Sequence, residues 1–234
     1  MTAGALLLFS ASFITCSQGG KSLGWDRDFG PAIDSGITKV ASLTPEEIPV
    51  YLADLDRSDP IAEVAASPKG REETLAFFAG ITGSSEVATA ILDNALHFGV
   101  SPSLAFALAE EESRFDVHAT NFNTGSVDRG LFQLNSRAFP KVRAADAWDP
   151  EINARYGLSH LAWFLEMAGN EVSALAMYNA GSGSVERGAT PRKTLDYIAR
   201  IQAYRDNILD LFTAKVGIHA RNYAGVLALA TSAH

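Results

Sequence analysis

The chain has a single cysteine in 234 residues. That excludes an internal disulfide framework and a cysteine-built zinc cluster. Basic charge is also scarce: 19 Lys and Arg stand against 27 Asp and Glu, for a formal charge of −8. Such a balance offers no electrostatic footprint for a polyphosphate, so no nucleic acid is expected as a partner, whereas a neutral or mildly anionic glycan is not excluded. The five histidines (His97, His118, His160, His219 and His234) lack close ligand spacing such as i, i+4, and neither a metal nor another cofactor is expected. Internal repeats and low-complexity blocks are missing. What remains is 47% hydrophobic and 20% charged, near the globular average and long enough for one good core and a smaller appendage.

The first apolar run, Ala5–Thr15 (ALLLFSASFIT), is too short to span a bilayer and suits the core of an export signal. It leads through Phe13-Ile14-Thr15 to Cys16 and the polar run Ser17-Gln18-Gly19-Gly20. This stretch resembles a bacterial lipoprotein signal, which implies lipidation at Cys16, export to the cell envelope or periplasm, and contact with a membrane through that anchor. It departs from that pattern in having no Lys or Arg in Met1-Thr2-Ala3-Gly4 and no small-residue pair at Ile14-Thr15. An ordinary cleaved signal, or an N-terminal helix with a buried thiol, is the plainer alternative. The organisation expected is an export signal over 1–16, a Gly- and Ser-rich tether over 17–42, a helical N-terminal extension over 43–84, a catalytic domain over 85–212 and a tail over 213–234. In the tail, Tyr223–Ala230 reads as a short docking helix.

Proline marks the helix starts. Thr44-Pro45, Asp59-Pro60, Ser67-Pro68, Ser101-Pro102, Asp149-Pro150 and Thr190-Pro191 each place a capping side chain before a proline at the first helical position. The patterns that follow predict helices at Pro45–Leu55, Pro60–Ala66, Glu72–Phe78, Glu86–Phe98, Pro102–Phe115, Pro150–Met167, Glu171–Tyr178 and Arg192–Phe212. Ile152, Tyr156, Leu161, Phe164 and Leu165 form the expected apolar stripe of the Pro150 helix. Between Thr120 and Asn135 the helical pattern gives way to Asn-, Gly- and Asp-rich turn chemistry, read as a small β-hairpin. The fold class is therefore mainly α with a minor β element.

On the helix that starts at Pro102, Leu104, Leu108 and Phe115 define a buried stripe at about 100° per residue. Glu110 falls off it, Glu111 lies on it and Glu112 lies beside it. A carboxyl held against apolar side chains resists ionisation and can serve as a general acid near neutrality. Periodicity alone does not choose between Glu111 and Glu112, and a solvated charge cluster near a helix end accounts for the same pattern.

The residues that follow supply the choice. Glu112-Ser113, then Gly125-Ser126-Val127-Asp128-Arg129-Gly130-Leu131-Phe132-Gln133-Leu134-Asn135, resemble the active-site stretch of the lysozyme superfamily. There, a Glu-Ser pair ends a helix and a Gly-Ser-x-Asp-x-Gly hairpin faces it. Asp149-Pro150-x-x-Asn153, Gly157-x-x-x-Leu161, Ala174–Gly181 (ALAMYNAG) and Thr194-Leu195-Asp196-Tyr197-Ile198 resemble the later motifs of soluble-type bacterial lytic transglycosylases, glycoside hydrolase family 23. The resemblance covers roughly residues 86–206. It implies an α+β lysozyme-like fold and peptidoglycan glycan strands as the partner and substrate. It also implies Glu112 as general acid and base in cleavage of the MurNAc–GlcNAc β-1,4 bond, with a 1,6-anhydro-MurNAc product.

The supporting residues the resemblance implies are Ser113, Asp128, Gln133, Tyr178, Asn179 and Tyr197, each with a plainer alternative. Asp128 is either a second carboxylate, as in a hydrolytic muramidase, or a turn residue bonding nearby amides. Gln133 meets an N-acetyl or hydroxyl group, or only backbone. Ser113 bonds substrate or its own helix. Tyr178 and Asn179 orient Glu112 and line the cleft, or belong to the core, and Tyr197 closes the cleft or packs. A non-catalytic peptidoglycan-binding or envelope assembly protein on the same scaffold is the rival of another class.

Overall fold

A computed structural model describes residues 59–217. The signal, Cys16, the tether, the Pro45–Leu55 helix and the Tyr223–Ala230 helix lie outside the described residues. In chain order the elements are α1 (Pro60–Ala65), α2 (Pro68–Thr82), α3 (Ser85–Phe98), α4 (Pro102–Ser113), β1 (Thr120–Asn123), β2 (Ser126–Arg129), β3 (Leu134–Asn135), a 3₁₀ turn (Asp146–Trp148), α5 (Pro150–Ala168), α6 (Glu171–Ala180), α7 (Ser182–Glu186), α8 (Arg192–Phe212) and a π-helical turn (Thr213–Gly217). This is a mainly α architecture with one small sheet.

The helix starts follow from capping chemistry. Asp59, Ser67, Ser101 and Asp149 each accept a backbone N–H of the first turn, with proline next in line, so one orphan donor is satisfied before the helix begins. Asp59 caps twice: Oδ1 accepts Ile61 N–H of α1 at 2.8 Å, and Oδ2 accepts Ser103 N–H of α4 at 2.8 Å. Thr190-Pro191 departs from the expectation. Pro191 is itself the cap residue of α8, and no side chain closes that end.

α4 is the central helix. Leu104 through Ala109 are all at most 1% exposed, so the helix is buried on every side along this stretch and not along one stripe alone. α3 and α8 pack directly on it, and α5 and α6 complete the bundle. Phe106 of α4 stacks on Phe78 of α2 with ring centroids 3.6 Å apart, and Phe212 at the end of α8 joins the same cluster. α4 ends at Ser113, two residues earlier than periodicity predicts. Arg114 (φ 54°) and Phe115 (φ 62°) both adopt the left-handed region, which stops the helix at a steric cost for residues that carry a Cβ. Phe115 nonetheless turns back into the core, where it is 8% exposed.

The hairpin is a three-stranded antiparallel sheet in the order β1-β2-β3, one short strand more than expected. Asn121 pairs with Asp128, and Asp128 in turn pairs with Asn135. α5 holds this sheet in place. The buried Asn153 side chain accepts Phe132 N–H at 2.8 Å and donates to the carbonyls of Arg129 (2.9 Å) and Ala147 (2.6 Å). At Gly157 a Cβ would lie 2.4 Å from Phe132 Cβ, so only glycine lets the two backbones approach this closely. Tyr156, expected in the buried stripe of α5, is 39% exposed and rests edge-on against Phe139. Leu161 and Phe164 of that stripe are buried as expected, and Ala154, Gly157 and Leu158 complete the buried face.

Candidate active site

The last turn of α4 delivers three consecutive glutamates to one end of the bundle, and their surroundings separate them. Glu111 is held by Arg200 of α8, whose Nε lies 3.0 Å from both carboxylate oxygens and whose Nη2 lies 2.5 Å from Oε1. Glu110 is half-buried beside Arg114, and burial raises its pKa. Among the described residues Glu112 has no cationic partner. Its Oε1 accepts the Tyr197 hydroxyl at 2.5 Å. Burial pushes its pKa up from 4.5 to about 8; donation from Tyr197 opposes that rise, and the negative charges of Glu111 and Asp128 add to it. Of the two glutamates that periodicity leaves open, Glu112 is thus the one kept protonated near neutrality, the state a general acid requires.

Tyr197 is 5% exposed, and its own ionisation is pushed up by burial and by Glu112. It therefore faces Glu112 as a neutral donor. Tyr178, at the C-terminal end of α6, donates its hydroxyl to the Phe132 carbonyl at 2.9 Å. Burial raises its pKa first, and the charges of Glu112 and Asp128 raise it further, so both carboxyl groups lie within electrostatic reach of this hydroxyl.

Asp128 sits in the middle strand with an asparagine on each side. Its Oδ1 accepts Asn135 Nδ2 at 2.6 Å, while Oδ2 accepts Asn123 Nδ2 at 2.6 Å and Asn121 Nδ2 at 3.3 Å. Three amides from the two flanking strands, two on β1 and one on β3, thus converge on one carboxylate, the cross-strand counterpart of a cap. Asn121, Asn123 and Asn135 are named in the sequence motif, but nothing in their spacing reveals that they share this partner.

The remaining expected residues are more local. Gln133, at φ 46°, donates its side-chain amide to the carbonyls of Ala119 (3.2 Å) and Gly130 (3.0 Å). Ser113 donates to Ala109 O at 3.1 Å, back along its own helix. Asn179 is exposed and accepts the hydroxyl of the buried Thr194 at 2.8 Å, joining the end of α6 to the start of α8. The structure therefore brings Glu112, Tyr197, Tyr178 and Asp128 together, with Asn179 supporting them from behind. Sequence reasoning misses Arg200; its sole signal is a position one turn beyond Tyr197. Among the described residues no group of three or more His, Cys, Asp or Glu could hold a metal ion, and no helix is long and apolar enough to cross a membrane.

Residues 89–201, which contain all of these groups, match the family model of the transglycosylase SLT domain. That stretch, just under half of the chain, is similar to an SLT domain. Two curated relatives, protein IpgF of Shigella flexneri and protein IpgF of Shigella sonnei, are each 32% identical over 92 residues. Those residues are 36% of this chain, which spans 60% of the length of either relative. Among solved structures, an inactive mutant of the lytic transglycosylase Slt from Pseudomonas aeruginosa superposes with a TM-score of 0.43 at 24% identity, covering 50% of this chain and 23% of that one. Within this stretch, α4 carries Glu112, α6 carries Tyr178, α8 carries Tyr197, the sheet carries Asp128, and the turn between its last two strands carries Gln133. Glu112 stands where α4, α6, α8 and the sheet meet, and no single loop determines its surroundings.

Proposed function

We propose that the protein is a peptidoglycan lytic transglycosylase, cleaving the MurNAc–GlcNAc β-1,4 bond with Glu112 as sole general acid and base. The observation that carries this reading is the Glu112 carboxyl: half-buried, without a cation, held by Tyr197 and raised to about 8. As acid, Glu112 gives its proton to the glycosidic oxygen as positive charge develops at the anomeric carbon. The resulting carboxylate then takes the proton of the muramoyl C6 hydroxyl. That oxygen closes on the anomeric carbon, so the bond to the leaving sugar is replaced by the 1,6-anhydro bond and Glu112 regains its proton. The N-acetyl group of the substrate is the internal nucleophile available to stabilise the intermediate.

A hydrolytic muramidase would need a second carboxylate with an oxygen free to face the anomeric carbon or a water. Both oxygens of Asp128 are engaged by asparagine amides, which favours cyclisation over hydrolysis. In this reading Asp128 acts through its charge and through the sheet it holds together. Gln133, its amino group occupied by backbone, offers its carbonyl oxygen to an N-acetyl N–H. Tyr178, Asn179 and Tyr197 line and brace the cleft, with Ser113 at its edge. Residues 85–212 form the catalytic unit and 43–84 its helical extension. An export signal over 1–16, a lipid anchor at Cys16, the tether over 17–42 and the tail over 213–234 complete an envelope or periplasmic placement. That part rests on the sequence pattern.

Mass spectrometry of muropeptides released from purified peptidoglycan tests the reading directly. Products lighter by one water than hydrolytic ones, absent with Glu112→Gln, are expected. Free reducing ends would assign hydrolysis and return Asp128 to a catalytic role. Glycan binding without release by either protein would make the chain a binding or assembly protein.

A further inference from the structure

The residue next to the acid is also a carboxylate, and it is held by an arginine. On α8, Tyr197 and Arg200 lie three residues apart, on neighbouring positions of one helical face. On α4, Glu111 and Glu112 are consecutive. Each residue of the α8 pair engages one glutamate: Tyr197 bonds Glu112 at 2.5 Å, and Arg200 grips both oxygens of Glu111. A bidentate guanidinium–carboxylate pair fixes orientation as well as distance. Glu111 is 18% exposed at its side chain and Arg200 56%, so the pair sits at the rim, where its net contribution to folding stability is small. Geometry this specific, next to the acid yet of little value to stability, calls for another role.

We propose that Arg200 is a positioning residue for the reaction: through Glu111 it fixes the register of α8 against the end of α4, and it balances the charge standing beside Glu112. The proposal rests on Glu112 being the acid. The charged and titratable groups around that acid are Glu111 on its own helix, Asp128 on β2, Tyr178 on α6 and Tyr197 on α8. Arg200 itself also interacts with Asp196 and Tyr197, and Glu110 feels the charges of both Arg114 and Glu111. Within this set Arg200 is the cation bonded to the neighbour of the acid. Removing it leaves an unbalanced negative charge beside Glu112, which favours the protonated acid. Removing Glu111 leaves an unbalanced positive charge, which favours the ionised acid.

A charge cycle read in the pH profile of anhydromuropeptide release tests this. Arg200→Gln is expected to move the alkaline limb of activity up by about half a pH unit, and Glu111→Gln to move it down by a similar amount, both discounted for exposure at the rim. The double variant Glu111→Gln/Arg200→Gln is expected to bring the limb back toward the wild-type position while the maximal rate stays several-fold low, because the register contact is gone. Arg200→Lys keeps the charge and loses the bidentate fork, so it should keep the limb and lower the rate. A purely structural pair would change the rate of both single variants without opposite limb shifts, and that result would overturn the proposal. Circular dichroism and thermal melting of each variant separate loss of fold from loss of positioning. Failure of the function reading itself looks different: wild-type protein would release no anhydro product, or Glu112→Gln would be as active as wild type.

Discussion

Replacing Glu112 by glutamine should make the protein more stable, by an amount that grows from nothing near pH 4.5 to its full size above about pH 8. A carboxyl whose folded pKa lies above its unfolded value stabilises the fold fully below the unfolded pKa. That contribution is lost progressively as pH rises through the folded pKa. For Glu112 the window runs from 4.5 to about 8. At 1.36 kcal/mol per pH unit, the whole rise corresponds to about 4.8 kcal/mol. The side chain is half-buried, and solvent screening at that exposure lowers the part expressed in stability to about 2 kcal/mol. Glutamine has the same shape, cannot ionise, and still presents an oxygen to the Tyr197 hydroxyl. Urea or thermal unfolding of both proteins, followed from pH 4.5 to pH 9, checks the prediction without any substrate. Near pH 4.5 the two should melt together. The variant should gain steadily through the window and lead by about 4–8 °C at pH 9, from 2–4 °C per kcal/mol at this size. A constant difference across the whole range would refute the raised pKa, and with it the reason for choosing Glu112 over Glu111.

Tyr197→Phe removes the donor that favours the ionised acid, so the alkaline limb of activity should move upward while the maximal rate falls tenfold or more; a pH–rate profile reads both. Asn153→Ala leaves the N–H of Phe132 and the carbonyls of Arg129 and Ala147 without their shared partner. It should cost about 2–4 kcal/mol in denaturant unfolding, with loss of activity because Asp128 rides on that sheet and Gln133 on the turn that leads into its last strand. Gly157→Ala forces a Cβ against Phe132 and should cost about 1–3 kcal/mol, its thermal shift accompanied by weaker glycan binding in a pull-down on peptidoglycan sacculi.

The parts of this fold that are legible in the sequence are those determined by local chemistry. Asp59, Ser67, Ser101 and Asp149 announce their helices because a cap and a following proline act within one turn. Thr190 does not, because Pro191 itself occupies the cap position. The end of α4 is hidden for a related reason: Arg114 and Phe115 are ordinary helix residues, and tertiary packing of the Phe115 ring overrides their preference for the right-handed region. At the site, motif resemblance reaches Glu112, Asp128, Tyr178 and Tyr197, since each stands in a recognisable local pattern. Periodicity does not reach the distinction between Glu111 and Glu112. That distinction is made by Arg200, 89 residues further along the chain, and no short-range rule connects the two. The Asp128 cradle is similarly non-local, since its three asparagines meet only once the strands have paired.

The frame that holds the acid also extends upstream of the SLT match, which begins at residue 89. Asp59 uses one carboxylate oxygen on α1 and the other on the start of α4, where it also accepts the Ser101 hydroxyl at 2.5 Å. Phe78, fully buried on α2, stacks on Phe106 in the middle of α4, and Phe77 meets Phe212 at the far end of α8 edge-on at 5.2 Å. α4 carries Glu112 and α8 carries Tyr197 and Arg200, so both helices that define the protonation state of the acid lean on aromatic rings supplied by α2. Each such ring contributes on the order of 2–3 kcal/mol of burial, and an offset of even a fraction of an ångström between α4 and α8 would lengthen a hydrogen bond only 2.5 Å long. α1 and α2 are thus physically coupled to the two helices that carry Glu112 and Tyr197.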